Sequence, residues 1–460
     1  MSSKKLGELL FMKKISSQLL LSCILLTPLF AKTYTLNESI QIALTHNKQH
    51  TISAQQRAVA EAKYKQALSA NYPSLDLSLN ANRRDQAFID ETSTSFQLPP
   101  QFGGTSLPVS YTHTVMGRDT ATAKAELTYA LYTGGKVTAL QKQAQAGIQY
   151  ADEGIALTDD AIVRDIRKYY ATLILSKKLQ SLMQTTVDQM QATYDLTETF
   201  YKSDSMKVKK TDYLRSKMTL LNMKSILESL KNATQLAKSA LSFGMGMQGE
   251  DIEVDENSLD PVNIDVSLKE YYQRLYLHNH QLKQLSIGLE AKESKMQQVK
   301  SEYLPTVGLY ANAQSLYNDE QGGIINSQNN DSWNIGIALK YNLFNGGLTT
   351  AKVEETKAQK LRLQAQKAYL ESGLQTAAKN AYLKTKSALK QITIMKEATE
   401  VAKQNSELNF RAYEEEMVDT KDVLESQFMR SLTEAAYYKA EYEAVINQAE
   451  LEYIIGSSFK

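Results

Sequence analysis

Four stretches of the chain alternate between apolar and polar residues with a period of two, at 75–82, 121–131, 307–313 and 333–343. Such alternation over about ten residues, repeated four times, is typical of membrane barrel strands, with apolar side chains toward lipid and polar ones toward the lumen. A water-soluble, half-buried sheet is the alternative. The charged residues Lys124, Glu126 and Lys340 in the polar sets favour a wet lumen.

Helical spacing of apolar residues fills most of the remaining chain. Two shorter helices are predicted over about 36–70 and 266–302, and each ends near a proline, which removes a backbone donor. Two long runs are predicted over about 136–200 and 348–412. Each would extend on the order of 100 Å as a single helix.

A polar turn follows each long run, and then a returning helix, over about 210–243 and 420–455. A lone helix of this length cannot bury its apolar stripe, whereas antiparallel hairpins packed side by side can, as in coiled coils. A filamentous coiled coil is the alternative, but it would not explain the four strands.

The chain carries this plan twice. His46-Asn47 and Pro73 recur 232 residues later as His278-Asn279 and Pro305. Two further landmarks recur 212 residues later: Gly134-Gly135 as Gly346-Gly347, and Gly244 as Gly456. The sequence therefore predicts a single unit of two structural repeats, 36–244 and 268–456, joined by a linker at 245–267.

The change of spacing places about twenty extra residues of the first repeat between Pro73 and Gly134. Polar residues with Pro, Gly, Ser and Thr fill 84–120, which we expect to be the larger loop between two strands. Residues 317–332 are expected to form the smaller loop. In the barrel interpretation both loops are extracellular.

The N-terminal residues have the pattern of an export signal, with Lys13-Lys14 before the apolar run 19–26 and a cleavage site after Ala31. Residues 1–31 are thus predicted to be a signal peptide, with Met12 as an alternative start. A lipoprotein signal ending at Cys23 remains an alternative. After this leader no stretch reaches the roughly twenty apolar residues that a helical span needs, so strands must make any membrane crossing.

Composition and motifs exclude several classes of function. With 52 basic and 51 acidic residues, the chain gives no electrostatic reason to bind nucleic acid. His46 and His50 have metal-pair spacing on a helix, but no third ligand lies within sequence reach. We find no nucleophile elbow, phosphate-binding loop or metalloprotease motif, and therefore predict no enzyme activity, no metal and no cofactor.

The order helix, strand, long loop, strand, Gly-Gly and long helical hairpin, present twice, resembles the TolC-type outer membrane efflux protein family. The resemblance covers roughly 34–457. The motifs that carry it are Tyr72-Pro73 and Leu304-Pro305, the strand exits at 131–135 and 343–347, and the returning-helix starts Asp212-Tyr213-Leu214 and Asp422-Val423-Leu424. It implies a mostly α fold with membrane β, in which a homotrimer closes a twelve-stranded outer-membrane β-barrel continued by a periplasmic α-helical barrel.

The resemblance also implies a periplasmic gate at the hairpin tips. By match, Asp422 and Glu425 face the pore and constrict its entrance, and their spacing of three places them on one helix face. Candidates for contacts that support the gate are Asp212, Arg215, Arg411 and Tyr413. The alternative is a solvated acidic helix start that the helix dipole stabilises.

The second tip departs from the family pattern at two positions. Family members usually have a glycine where this chain has Glu416, and often a serine where it has Asp419. The first tip is two residues longer than the second, also lacks glycine, and carries a basic cluster of Lys207, Lys209 and Lys210. That cluster predicts a solvated turn or a contact with a partner protein.

The resemblance implies a passive exit duct in the outer membrane of a Gram-negative bacterium, in contact with its lipid. A periplasmic adaptor would couple it to an inner-membrane pump or ABC transporter, and the cargo would be small molecules or proteins. The alternative is a cell-envelope structural or adhesive coiled-coil protein. Ion conduction in a bilayer would separate the two.

Overall fold

The structure, a computed structural model, describes residues 32–203, 207–249, 251–257, 262–264, 266–320 and 331–456. The predicted leader and most of the predicted second loop lie outside the described residues. The chain divides into two compact units. The helical unit comprises Met1–Thr51, Thr158–Leu277 and Thr376–Lys460, and the sheet unit comprises Ile52–Leu157 and His278–Gln375.

The helices, in chain order, are α1 (Leu36–His46), α2 (Lys48–Ser69), α3 (Lys136–Lys202), α4 (Lys210–Met245), α5 (Leu268–His278), α6 (His280–Lys300), α7 (Leu348–Glu414) and α8 (Thr420–Ile455). The strands are β1 (Lys32–Tyr34), β2 (Ser74–Arg83), β3 (Phe88–Gln97), β4 (Ser106–Met116), β5 (Asp119–Tyr132), β6 (Ile252–Val254), β7 (Thr306–Asn318) and β8 (Asp331–Lys340).

Helix lengths confirm the duplication. The long helices α3 and α7 each have 67 residues, and the returning helices α4 and α8 each have 36. The predicted pairing of Gly244 with Gly456 is wrong, however. Gly246 and Gly456 are the residues that end α4 and α8, both with positive φ, because the longer first tip shifts the spacing after it.

Each of the two shorter predicted helices is in fact two helices, and the break lies at the repeated asparagine. Asn47 ends α1, and its side chain donates to the Gly244 carbonyl at 2.8 Å and accepts from the Gln49 amide. Asn279 precedes α6, and its side chain accepts from the Leu282 amide at 2.9 Å. Asparagine is favoured at such ends because its side chain satisfies amides that the helix leaves free.

The sheet unit contains an antiparallel four-stranded sheet in the order β2-β5-β7-β8. The predicted alternation is confirmed, because the register collects each set of residues on one face. The row Leu77, Ala125, Ala313, Trp333 is apolar, and the row Asp76, Glu126, Asn312, Asn334 is polar. Leu77 and Trp333 are 73% and 77% exposed, so the apolar face is uncovered in a single chain.

No helix in the described ranges combines the length and the apolarity that a membrane crossing requires.

The Gly-Gly strand exits have a steric reason. Gly134 and Gly346 have φ of 62° and 66°, a region that side chains with a Cβ rarely adopt. A Cβ on Gly134 would also lie 2.8 Å from that of Leu304. Glycine therefore lets the chain leave the sheet and enter the long helix.

The expected polar loop at 84–120 is largely a second hairpin, which corrects the prediction. Strands β3 and β4 pair antiparallel as a separate two-stranded sheet, with a short 3-10 turn, Pro100–Phe102, between them. Threonine, valine and aromatic residues have strong strand preference, and this outweighs the polar composition.

The predicted linker also contains structure. Strand β6 pairs in parallel with β1, and the buried Tyr170 hydroxyl lies 2.9 Å from the Tyr34 carbonyl and 2.8 Å from that of Asp255. These contacts border the apolar core of the helical unit, which includes Leu36, Leu173 and Leu241. The linker is therefore fastened to the helices.

Two lysines outside this core form ion pairs with β6. Lys177 lies 3.0 Å from the Glu253 carboxylate, and Lys238 also pairs with Glu253. Burial alone would raise the pKa of Glu253, but the hydrogen bonds from Lys238 and Lys177 hold it below its ordinary value.

Candidate functional site

The predicted gate carboxylates lie at the start of α8. Asp422 and Glu425 are exposed, whereas their neighbours Val423, Leu424 and Ser426 are buried. The helix therefore packs through one face and presents the two acids on the other. Within the described part of the chain, neither carboxylate has a hydrogen-bond or ion-pair partner. Two free carboxylates one turn apart on a helix face can attract cations and repel anions.

Tyr413 joins three helices beneath this acidic face. It is 2% exposed, and its hydroxyl lies 2.8 Å from Thr197 Oγ1 on α3 and 2.9 Å from Thr420 Oγ1 on α8. The ring meets Phe200 edge to face, with centroids 5.7 Å apart. A buried hydroxyl with two partners fixes the end of α7 against both neighbours.

A ladder of buried polar pairs joins α3 to α8, farther from the hairpin tips than Tyr413. Thr193 exchanges hydrogen bonds with Gln427 at 2.9–3.2 Å, and Thr186 donates to Ser431 at 3.1 Å. Sequence reasoning missed this ladder. The signal was present, because Thr186 and Thr193 are seven residues apart and so share a helix face.

The second tip keeps a tight turn without glycine. Glu416 has φ of 53°, the one positive φ outside glycine in the described residues. The Met417 amide donates to the Ala412 carbonyl at 2.8 Å, and the Glu416 amide to that of Tyr413 at 3.0 Å. This is the hydrogen-bond pattern of a Schellman helix end, in which the left-handed residue is usually glycine.

Asp212 and Arg215 lie together at the start of α4. Asp212 accepts from the Lys209 amide at 3.2 Å, and Arg215 lies 3.4 Å from its other oxygen. Asp212 thus acts as a helix-start residue that also has a basic partner. Neither residue is brought to Tyr413, so the four predicted supporting residues do not form one cluster in a single chain.

A tyrosine cluster stiffens the first hairpin just above its tip. The rings of Tyr194 and Tyr201 lie 5.7 and 5.4 Å from that of Tyr213. The hydrogen bond with Tyr213 and the nearby Glu198 carboxylate raise the pKa of Tyr194. The sequence alone indicated Tyr213 only as part of a helix start, and did not predict its contacts with Tyr194 and Tyr201.

Arg411 is placed away from the other candidates. It lines a cavity of about 400 Å³ among α3, α7 and α8, together with Arg430, Asp188, Glu407 and Phe410. The cavity mixes both signs of charge over a partly apolar wall. In the described residues Arg411 forms no ion pair.

The histidines do not assemble a metal site. His46 is the last residue of α1, and the break at Asn47 separates it from His50, whose Nδ1 lies 2.6 Å from Asp159. Over the part of the chain that the structure describes, no three potential ligands among His, Cys, Asp and Glu lie close enough to hold an ion.

Comparison with solved structures shows a shared fold. VceC from Vibrio cholerae is 18% identical with a TM-score of 0.71, over 92% of this chain and 97% of that chain. The open state of MtrE from Neisseria gonorrhoeae is 16% identical with a TM-score of 0.70, over 93% and 90%. CmeC from Campylobacter jejuni is 14% identical with a TM-score of 0.70, over 92% and 86%. All three are described as outer-membrane proteins or channels.

No curated protein matches the chain in sequence. The sequence profile described as outer membrane efflux protein matches residues 39–246 and 271–457, which is most of both repeats. The chain therefore belongs to the outer membrane efflux protein family.

Proposed function

We propose that three copies of this chain close into an exit duct of the outer membrane. Family membership makes the chain an outer-membrane efflux duct, and the observation that supports the trimer is the sheet itself. Strands β2 and β8 are its edges, and both carry exposed apolar side chains, such as Leu77 and Trp333. Four strands with open edges cannot lie in lipid, whereas three sheets joined edge to edge leave no edge.

We further propose that the duct is passive and that its periplasmic end receives cargo from an inner-membrane transporter through an adaptor. The long helical hairpins would line the periplasmic part of the channel. The long hairpins of α3–α4 and α7–α8 supply the length for this role, since 67 residues of helix reach about 100 Å. A structural or adhesive coiled coil would not need an exposed apolar sheet.

The carboxylates of Asp422 and Glu425 are proposed to form the narrow, cation-selective entrance. Their exposure, their spacing of one turn and their lack of partners in the described residues support this role. Three copies would bring six carboxylates together, and their repulsion opposes closure. Tyr413 is proposed to oppose that repulsion through its two buried hydroxyl contacts. Asp212, Arg215 and Arg411 would support the closed entrance only through contacts between neighbouring copies.

Two measurements test the proposal. The mass of the detergent-solubilised complex should equal three chains, and the same preparation should conduct ions in a planar bilayer. A stable monomer would contradict the architecture. A trimer that never conducts would contradict the duct.

A further inference from the structure

A row of lysines runs along the exposed side of α4. Lys210, Lys217 and Lys224 are seven residues apart, which is two helical turns, so they share one edge of the helix. All three are exposed, and only Lys224 has a partner among the described residues, the Gln191 side chain at 2.9 Å.

An uncovered apolar stripe lies beside this row. Leu214, Met218 and Leu221 are 52%, 59% and 56% exposed, and their spacing of four and then three is that of a coiled-coil seam. The opposite face of α4 is already occupied. There Leu220 and Met223 pack against Val187 of α3.

Helix α7 carries the complementary pattern. Ile394, Val401 and Leu408 are 59%, 62% and 65% exposed, and they are spaced by seven. Glutamates border this stripe, also seven residues apart and all exposed, at Glu400, Glu407 and Glu414.

The two rows are level with each other. Lys210 is the first residue of α4 and Glu414 the last of α7. The two tips lie at one level, because Lys207 Nζ donates to the Glu416 carbonyl at 2.9 Å. Since α4 leaves the tip and α7 approaches it, seven residues on each side lead to Lys217 and Glu407, about 10 Å from the tip.

Fourteen residues from the tip, α4 reaches Lys224 and α7 reaches Glu400, so these two residues also lie level with each other. The apolar stripes match in the same register. Leu408, six residues above the tip, falls between Leu214 and Met218, which are four and eight residues above it.

The net charges of the two helix segments are also opposite in sign. Residues 210–231 carry five basic and two acidic side chains, whereas residues 394–416 carry three basic and six acidic side chains. Opposite charges that border an apolar seam set the partner and the register of coiled coils.

We propose that α4 of one copy packs antiparallel against α7 of the neighbouring copy, with Lys210, Lys217 and Lys224 opposite Glu414, Glu407 and Glu400. This interface rests on the trimer proposed above and gives it a residue-level register. A second copy is the occupant that the observations favour, because both halves of the seam belong to the same chain and end at the same level.

Disulfide trapping tests the register, since Cys23 is the one cysteine of the sequence and can be replaced by serine. Lys217→Cys combined with Glu407→Cys should give covalent dimers and trimers on oxidation. The matched control, Lys217→Cys with Glu400→Cys, is out of register by about 10 Å. A disulfide needs Cα atoms within about 7 Å, so the control should stay monomeric under denaturing conditions.

Charge reversal gives a second readout. Lys217→Glu should lower the temperature at which the trimer dissociates, and adding Glu407→Lys should restore it. The difference should shrink in about 1 M salt, where charges are screened within about 3 Å.

Failure of this inference differs from failure of the proposed function. A three-chain mass without in-register cross-links, equal cross-linking by both cysteine pairs, or cross-links only to a different protein would each overturn the interface. The trimeric duct would stand in those cases. Loss of the three-chain mass in the unmodified protein would overturn the duct itself.

Discussion

Lys207 of the first hairpin tip donates to the backbone carbonyl of Glu416 at the second tip, at 2.9 Å. The contact joins the two hairpins of the helical unit at their ends. Glu416 is also the one non-glycine residue with positive φ among the described residues. The strained turn and the contact between the hairpins therefore involve the same residue.

The strain at Glu416 predicts that glycine would stabilise the turn. A left-handed conformation costs a residue with a Cβ roughly 1–2 kcal/mol, and glycine avoids this cost. Part of this gain is offset, because glycine loses more conformational entropy on folding than other residues. Glu416→Gly should therefore raise hydrogen-exchange protection of the Met417 amide, about fivefold for a net 1 kcal/mol. Glu416→Ala keeps the Cβ and should give no gain. Reduced protection in the glycine variant would contradict the strain.

Removing the gate charges should change ion selectivity without unfolding the protein. Asp422→Asn with Glu425→Gln should lower cation preference and weaken block by multivalent cations, because fewer carboxylates remain at the entrance. Single-channel recordings in a potassium chloride gradient would show the reversal potential moving toward zero. As a charge-matched control, Asp195→Asn with Glu397→Gln should leave it unchanged. If the reversal potential is unchanged in both double variants, Asp422 and Glu425 are only an acidic helix start that the helix dipole stabilises.

The two faces of the sheet should respond differently to arginine. Leu77, Leu127, Leu309 and Leu339 are predicted to face lipid, and arginine near mid-membrane should cost roughly 2–4 kcal/mol there. Arginine at Asn80, Thr128 or Asn312, on the polar face, should cost less. Urea unfolding in lipid vesicles would measure the difference. Equal costs for Leu77→Arg and Asn80→Arg would mean that the sheet does not lie in a membrane.

The attachment of β6 should weaken in acid. The pKa of Glu253 lies below the ordinary value of 4.5, so its stabilising contribution is present above that value and is lost as the pH falls through the lowered pKa. The stability difference between the unmodified protein and Glu253→Gln should thus be full near pH 6 and shrink below about 4.5. Asp251→Asn, at a carboxylate that is 67% exposed, should have a smaller effect. A difference that grows in acid would contradict this.

The β3–β4 hairpin should be accessible from outside the cell. Gly104 lies at its tip with φ of 59° and open space on its side-chain side, so an inserted epitope should not disturb the strands. Antibody should label intact cells that carry this tag. A tag after Met417, which is 77% exposed at the tip of the α7–α8 hairpin, should be labelled only after outer-membrane rupture. The reverse result would invert the orientation.

Part of the candidate site could be read from sequence, and part could not. That Asp422 and Glu425 share one side of α8 follows from helical spacing, which any helix obeys. The partners of Tyr413 could not be read, because Thr197 lies 216 residues away and the two meet only when the hairpins pack. The sequence puts Arg411 and Asp212 together among the candidate gate contacts, yet packing places Arg411 at a separate cavity.

The sequence by itself determined the duplication, the four alternating strands, the paired long and returning helices and the family, because these depend on local periodicity and on repeated motifs. Only the tertiary structure decided the helix breaks at Asn47 and Asn279, the β3–β4 hairpin and the pairing of β1 with β6. The break at Asn47 and the pairing of β1 with β6 depend on contacts between residues far apart in the chain, such as Asn47 with Gly244, and no local pattern specifies where a distant carbonyl will lie. The break at Asn279 and the β3–β4 hairpin involve nearer residues, such as Asn279 with Leu282, but the local periodicity does not distinguish them from a continuous helix and a polar loop.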